Sequence, residues 1–165
     1  MGEQTAIVAE VDMLAEIRDL LPHGETALYL VEITSCDNSE ELTAIAMFPE
    51  NPGHFPPPRL QVVRAADLIE AAAQAAGCLI GKRFGIRASN NDKMAVLTGV
   101  ERAEFHGLVL PGEPIAISLT LFRFRLGGAM SVFKFRTEMT RENGRRVAEI
   151  GELTITVTPP KTDPS

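Results

Sequence analysis

The sequence predicts an α+β fold in which a curled antiparallel β-sheet wraps around one long central α-helix. Three observations predict it. One alanine-rich apolar segment has helical spacing, the second half of the chain alternates as strands with turn residues between them, and that alternation slips by one residue within several strands. The chain has 165 residues, 45% hydrophobic and 23% charged, ordinary values for one globular domain. At this length about two thirds of the unfolded chain's surface can be buried, so the core needs no disulfide or metal. Residues 1–158 are expected to form one domain, and 159–165, with three prolines, a flexible tail.

Asp12 is placed to cap a short helix in which Met13, Leu14, Ile17, Leu20 and Leu21 recur at helical spacing, ending before Pro22. Ala27 to Ser35 and Glu41 to Phe48 read as strands joined by the turn residues Asp37, Asn38 and Ser39. Asn51 to Arg59 holds four prolines and a glycine, which makes it a stiff loop. From Val62 to Ile80, the residues Val62, Ala65, Ala66, Ile69, Ala72, Ala73, Ala76 and Ile80 mark the long helix, almost uncharged after Glu70 and expected to be buried nearly all round.

Strands are then expected over Ala95–Phe105, Ile115–Leu126, Met130–Thr140 and Val147–Val157, the last three forming a meander through Gly127-Gly128 and Glu142-Asn143-Gly144. Ile115, Ile117, Leu119 and Leu121 share one parity, whereas Phe122, Phe124 and Leu126 take the other. Met130 and Val132 give way to Phe133 and Phe135, and Ala148 and Ile150 to Leu153, Ile155 and Val157 across Gly151. One extra residue per strand is the signature of a β-bulge, and several bulges curl a sheet.

Lys plus Arg total 16 against 22 for Asp plus Glu, a net charge of −6 that argues against nucleic acid as the main partner. Cys36 and Cys78 form no CxxC or Cys/His cluster, so they read as reduced core thiols rather than zinc ligands. The first residues carry acids where a signal peptide carries bases, and no stretch reaches the ~20 apolar residues of a membrane span. A soluble cytoplasmic protein is expected.

Among three histidines, His23 after the first helix and His106 before Gly107 read as structural or exposed. His54 sits in the proline-stiffened loop, which can hold an imidazole in one orientation, and the long helix that follows carries one mid-segment acid, Glu70. Beside Ile69, Ala71, Ala72 and Ala73 this carboxyl is expected to lose solvation and hold its proton to higher pH, as a general acid requires. A glutamate near a helix N-terminus also serves simply as a partner of the helix dipole.

These residues resemble the β-hydroxyacyl-acyl-carrier-protein dehydratases of the hotdog fold. The likeness rests on Leu21-Pro22-His23 after the first helix, Gly53-His54-Phe55-Pro56 after the second strand, Glu70-Ala71-Ala72-Ala73-Gln74 on the long helix, and Phe105 with Val109-Leu110-Pro111-Gly112 later. It runs in order from about Ile17 to Val157. It implies that His54 removes the α-proton of a 3-hydroxyacyl thioester and that Glu70, from the partner subunit of a dimer, protonates the departing hydroxyl. Phe55, Ala65, Ala66 and Gln74 are the implied substrate contacts, with helix N-terminal amides polarising the thioester carbonyl.

The product would be a trans-2-enoyl thioester, in fatty-acid or polyketide-type biosynthesis. The implied substrate rides on the phosphopantetheine of an acyl carrier protein or of coenzyme A, with no metal or other cofactor, and the implied assembly is a homodimer or an oligomer of dimers. The chain departs from the family at Pro57, where a glycine is usual, and at Arg64-Ala65, where Pro-Gly would align; His54 to Glu70 is also two residues longer than usual. Ala65 can stand in for that glycine only if its φ stays negative.

Arg64 and Asp67 read as a surface ion pair or as readers of a polar substrate feature. Lys82, Arg83 and Arg87 read as a carrier-protein patch or a solvated helix end. The acyl chain is expected in a tunnel along the helix beside Ala72, Ala73 and Ala76, its depth set by side chains such as Phe84, Phe122 and Phe133. Two other readings stay open: a non-catalytic hotdog subunit that binds a carrier protein or an active partner, and an acyl thioesterase.

Overall fold

The computed structural model describes residues 13–24, 27–36, 40–50, 61–88 and 93–159. Helix α1 (13–20) is followed by β1 (Leu30–Ser35), β2 (Glu41–Ala46), α2 (Ala65–Phe84), β3 (Met94–Phe105), β4 (Ile115–Arg125), β5 (Ser131–Arg141) and β6 (Arg146–Thr158). The six strands form one antiparallel sheet in the order β1-β2-β4-β5-β6-β3, leaving β1 and β3 at the edges. Asp12, the Asp37–Ser39 turn, the loop 51–60 with His54, Phe55 and Pro57, and the tail after residue 159 lie outside the described residues.

Helix α2 starts three residues later and ends four later than the periodicity suggests, for two local reasons. Arg64 is extended (φ −73°, ψ 148°), and the Val63 amide donates to Val109 O at 2.8 Å, which holds the approach to the helix out of helical geometry. At the other end Gly85 takes φ +68° and donates to Gly81 O, closing the helix at a conformation that costs other residues a strained backbone. Ala71, Ala72, Ala75, Ala76 and Leu79 are completely buried beneath Leu42, Ile117, Leu119, Phe135 and Leu153 of the sheet. Small side chains on the helix let the curled sheet close around it at interior packing density.

The bulges that bend the sheet fall where two of the three slips predict them. Phe122 is the extra residue of β4, between the pairs Leu121–Phe135 and Arg123–Lys134, and Gly151–Glu152 spans the extra residue of β6, between Leu153–Phe135 and Ile150–Thr137. A further shift in β3 lies between Leu97 and Gly99. The third slip, in β5, is absent: Phe133, Phe135, Thr137 and Met139 are all buried on one parity, while Val132 faces outward and Met130 is 43% exposed before the strand begins. Two apolar residues on the outer face had imitated a change of register, which is common because folded surfaces keep much apolar area. The β5–β6 hairpin closes with Gly144 at φ +77°, as the Asn-Gly pair suggests.

Neither cysteine is in a disulfide; Cys78 is fully buried with its thiol pushed up by burial, and Cys36 is half-buried. Among the described residues no helix is long and apolar enough to cross a membrane, and no cluster of three His, Cys, Asp or Glu side chains could hold a metal ion.

Candidate active site

One face of α2 carries Asp67, Glu70 and Gln74, three and four residues apart, and these are the polar groups that the apolar helix turns toward one end of the fold. Gln74 is buried and fully used. Its Oε1 accepts from the Tyr29 amide at 2.9 Å, and its Nε2 donates to Ala27 O at 2.6 Å and to Glu70 Oε1 at 3.1 Å. The same Glu70 oxygen lies 2.9 Å from His23 Nε2. Oε1 thus takes both contacts, while Oε2 has no hydrogen bond among the described residues.

The sequence expects Glu70 to hold its proton to higher pH; the structure reverses this. The hydrogen bond from His23 outweighs burial and, with that from Gln74, holds the Glu70 carboxyl below the usual carboxylate range. His23, read from sequence as structural or exposed, is therefore the immediate partner of the candidate acid. The Leu-Pro-His segment was its signal, since a histidine fixed after a proline at a helix end is a means of aiming one side chain. His106 is exposed at the end of β3, its amide on Val147 O, and does not join this cluster.

Arg64 and Asp67 are not a plain surface pair. Asp67 is buried, receives Arg64 Nε and Nη2 at 2.8 Å each, and receives the Tyr29 hydroxyl at 3.1 Å. Burial pushes its carboxyl up, but the hydrogen bonds from Arg64 and Tyr29 win and hold it below the usual range. Burial and that same carboxylate raise the Tyr29 phenol, so it remains a donor. Tyr29 links the two halves of the site, its hydroxyl on Asp67 and its amide on Gln74.

At the helix start Ala65 and Ala66 are exposed, and no side chain caps them. The amides of Asp67 and Leu68 both turn to Arg64 O, so those of Ala65 and Ala66 have no partner among the described residues. Ala65 is helical with negative φ, the condition under which alanine replaces glycine there.

Beside the helix runs a cavity of about 330 Å³ with His23 and Glu70 in its wall, lined otherwise chiefly by Leu21, Ala73, Gly77, Met94, Leu97 and Ile155. The expected tunnel is corrected on two points. Ala72 and Ala76 are buried in the core against the sheet, and the room comes from Ala73 and Gly77 on the neighbouring face. Phe84, the last residue of α2, packs tilted against Phe124 and Phe133, and Phe122 lies under Arg136 on the outer face, so none of Phe84, Phe133 and Phe122 lines the cavity. Each basic residue at the end of the helix has an acidic neighbour: Lys82 pairs with Glu16 at 2.6 Å, Arg83 with Glu40 at 3.8 Å and Arg87 with Asp19 at 2.6 Å.

A curled antiparallel sheet around one helix, with a carboxyl set into an apolar cavity beside that helix, is the hotdog architecture. Solved structures agree on the fold. A dehydratase heterocomplex ApeI:P from Xenorhabdus doucetiae superposes with a TM-score of 0.61 at 15% identity, covering 88% of this chain and 91% of that one. Cj0977 from Campylobacter jejuni gives 0.58 at 16% identity, covering 94% and 93%. No family model matches the chain. Curated relatives are more specific: the 3-hydroxyacyl-[acyl-carrier-protein] dehydratase FabZ of Vibrio atlanticus is 34% identical over 118 residues, covering 69% of this chain and 76% of that protein. The FabZ of Rickettsia felis is 31% identical over 140 residues, covering 82% and 90%. The chain belongs to the FabZ family of 3-hydroxyacyl-acyl-carrier-protein dehydratases.

Proposed function

We propose that this chain eliminates water from 3-hydroxyacyl thioesters to give trans-2-enoyl thioesters, as a cytoplasmic enzyme of fatty-acid or polyketide-type biosynthesis. The observation that carries the reading is Glu70, held by His23 and Gln74 through one oxygen, with the other unbonded among the described residues, in the wall of an apolar cavity in a chain of the FabZ family.

In this reading His54 takes the α-proton, the electron pair develops onto the thioester oxygen, and the C3–O bond breaks as Glu70 protonates the departing hydroxyl. The amides of Ala65 and Ala66, without a partner among the described residues, stabilise the developing oxyanion, helped by the helix dipole. Gln74 fixes the Glu70 carboxyl, Phe55 contacts the substrate beside His54, and the acyl chain follows Ala73 and Gly77. No resident cofactor takes part: the acyl group arrives on phosphopantetheine, carried by an acyl carrier protein or coenzyme A.

The active unit in this reading is a homodimer or an oligomer of dimers. Strand β3 is a sheet edge with Met94 52% and Val96 39% exposed, and Met94 and Leu97 also line the cavity, so a second copy on that edge would complete its wall. The test is mass-spectrometric detection of water loss from 3-hydroxyacyl thioesters of several lengths, on carrier protein and on coenzyme A, for wild type, His54→Ala and Glu70→Ala. Loss of water by the wild type alone supports the reading. Release of free acid would make the chain a thioesterase, and intact substrates with capture of carrier protein or a second hotdog chain would make it a non-catalytic subunit.

A further inference from the structure

We propose that His23 is a positioning residue that acts through Glu70, aiming its carboxyl and reloading it with the proton given to the departing hydroxyl. The inference rests on the dehydratase reading above and adds a third side chain to it.

Three observations meet at this pair. His23 Nε2 is 2.9 Å from Glu70 Oε1, and both side chains line the cavity. His23 Nδ1 is buried with no hydrogen-bond partner among the described residues, and Nε2 is the nitrogen that faces the carboxylate. Glu70 is held below the usual carboxylate range, so at neutral pH it is ionised and cannot act as an acid until a proton reaches it. The group in contact that can pass one on is the His23 imidazole, through Nε2.

The other charged groups around the site do not take this role. Asp67, one turn earlier on α2, is engaged by Arg64 and Tyr29, and its charge favours a proton on Glu70. Arg87, after α2, is paired with Asp19, and Lys93 stands just before β3. From β3 and β6 the described lining is Met94, Ala95, Leu97 and Ile155, none of them titratable.

The balance closes over one turnover. The C3–O bond breaks with its electron pair on oxygen, Glu70 gives that oxygen a proton, and water leaves. His23 takes a proton from solvent to become an imidazolium, passes its Nε2 proton to Glu70 and returns to a neutral imidazole, and His54 returns the α-proton to solvent.

The test is the pH profile of dehydration, on the thioester the wild type turns over best, for wild type, His23→Gln, His23→Leu, Glu70→Gln and the double variant His23→Gln/Glu70→Gln. Gln at 23 keeps an N–H donor for Oε1 but carries no exchangeable proton load. His23→Gln is expected to lose about a hundredfold in kcat near pH 8, most of it regained toward about pH 5.5 where solvent loads Glu70 directly. Its alkaline limb moves to lower pH. His23→Leu loses the aim as well and falls further at every pH. In Glu70→Gln, which has no carboxyl to load, adding His23→Gln costs little more, the non-additivity expected of a coupled pair.

A His23→Gln profile parallel to the wild type's, with the same loss at every pH, overturns the inference and leaves a structural contact; additive losses in the double variant overturn it too. Wild-type protein that dehydrates no thioester at any pH overturns the assigned reaction and this inference with it, so the two failures are distinguishable.

Discussion

Replacing Gln74 by Leu tests whether the polar side chains of α2 form one connected unit. The two side chains are close in size, so the change removes hydrogen bonds without opening a large cavity. Three bonds go: the Tyr29 amide at 2.9 Å, Ala27 O at 2.6 Å and Glu70 Oε1 at 3.1 Å. Their costs differ with burial. Tyr29 is 7% exposed, so its orphaned N–H pays close to the full desolvation penalty of about 1–3 kcal/mol. Ala27 is exposed and its carbonyl turns to water, while Glu70 keeps His23.

The sum is about 2–3 kcal/mol, offset only slightly by the added apolar side chain. At about 2–4 °C per kcal/mol for a chain of this size, Tm should fall by about 4–12 °C. Circular dichroism melts at fixed protein concentration, with urea titrations for ΔG, measure it. A Tm within about 2 °C of wild type would refute the reasoning, because it would mean that the Tyr29 amide finds another acceptor and that Gln74 is not the link between β1 and the acid.

Asp67 has a folded pKa below its unfolded value, so the stability it contributes is present above the ordinary carboxylate range and is lost as pH falls through the folded pKa. Asp67→Asn should therefore melt below wild type at neutral pH, with the gap narrowing in melts taken below about pH 4. Phe133 is completely buried against Phe84 and Phe124, so Phe133→Ala should cost about 3–5 kcal/mol in urea unfolding. At Gly77 a Cβ would lie 2.7 Å from Leu21 Cδ2 in the cavity wall. Gly77→Leu should lower kcat/KM about tenfold or more for a 3-hydroxydecanoyl thioester while sparing 3-hydroxybutyryl, compared in parallel progress curves. Gly85 sits at φ +68°, so Gly85→Val should cost about 1–2 kcal/mol in the same unfolding assay.

Much of the architecture is determined by local rules that need no knowledge of the fold. Apolar spacing marks α2, the Asn-Gly pair ending in Gly144 marks the turn of a hairpin, and the parity slips at Phe122 and Gly151 mark where the sheet bends. Each depends on a few neighbouring residues, and sterics and periodicity settle it within one element. Glu70 was likewise legible as a candidate, because an acid on an otherwise apolar helix stands out in the sequence alone, whereas Gln74 entered only through the family resemblance.

Their environment was decided only when distant segments met. His23 reaches Glu70 across 47 positions and Tyr29 reaches Asp67 across 38, and these contacts turn a carboxyl expected to hold its proton into one held ionised, and a supposed surface pair into a network anchored on a buried carboxylate. The acyl cavity shifted from Ala72 and Ala76 to Ala73 and Gly77 for a similar reason: periodicity tells which residues are apolar, and only the packing of the sheet tells which side of the helix stays open. Secondary structure follows from interactions within a few residues, whereas the charge state and access of a site follow from solvent exclusion and long-range contacts, which exist only in the folded chain.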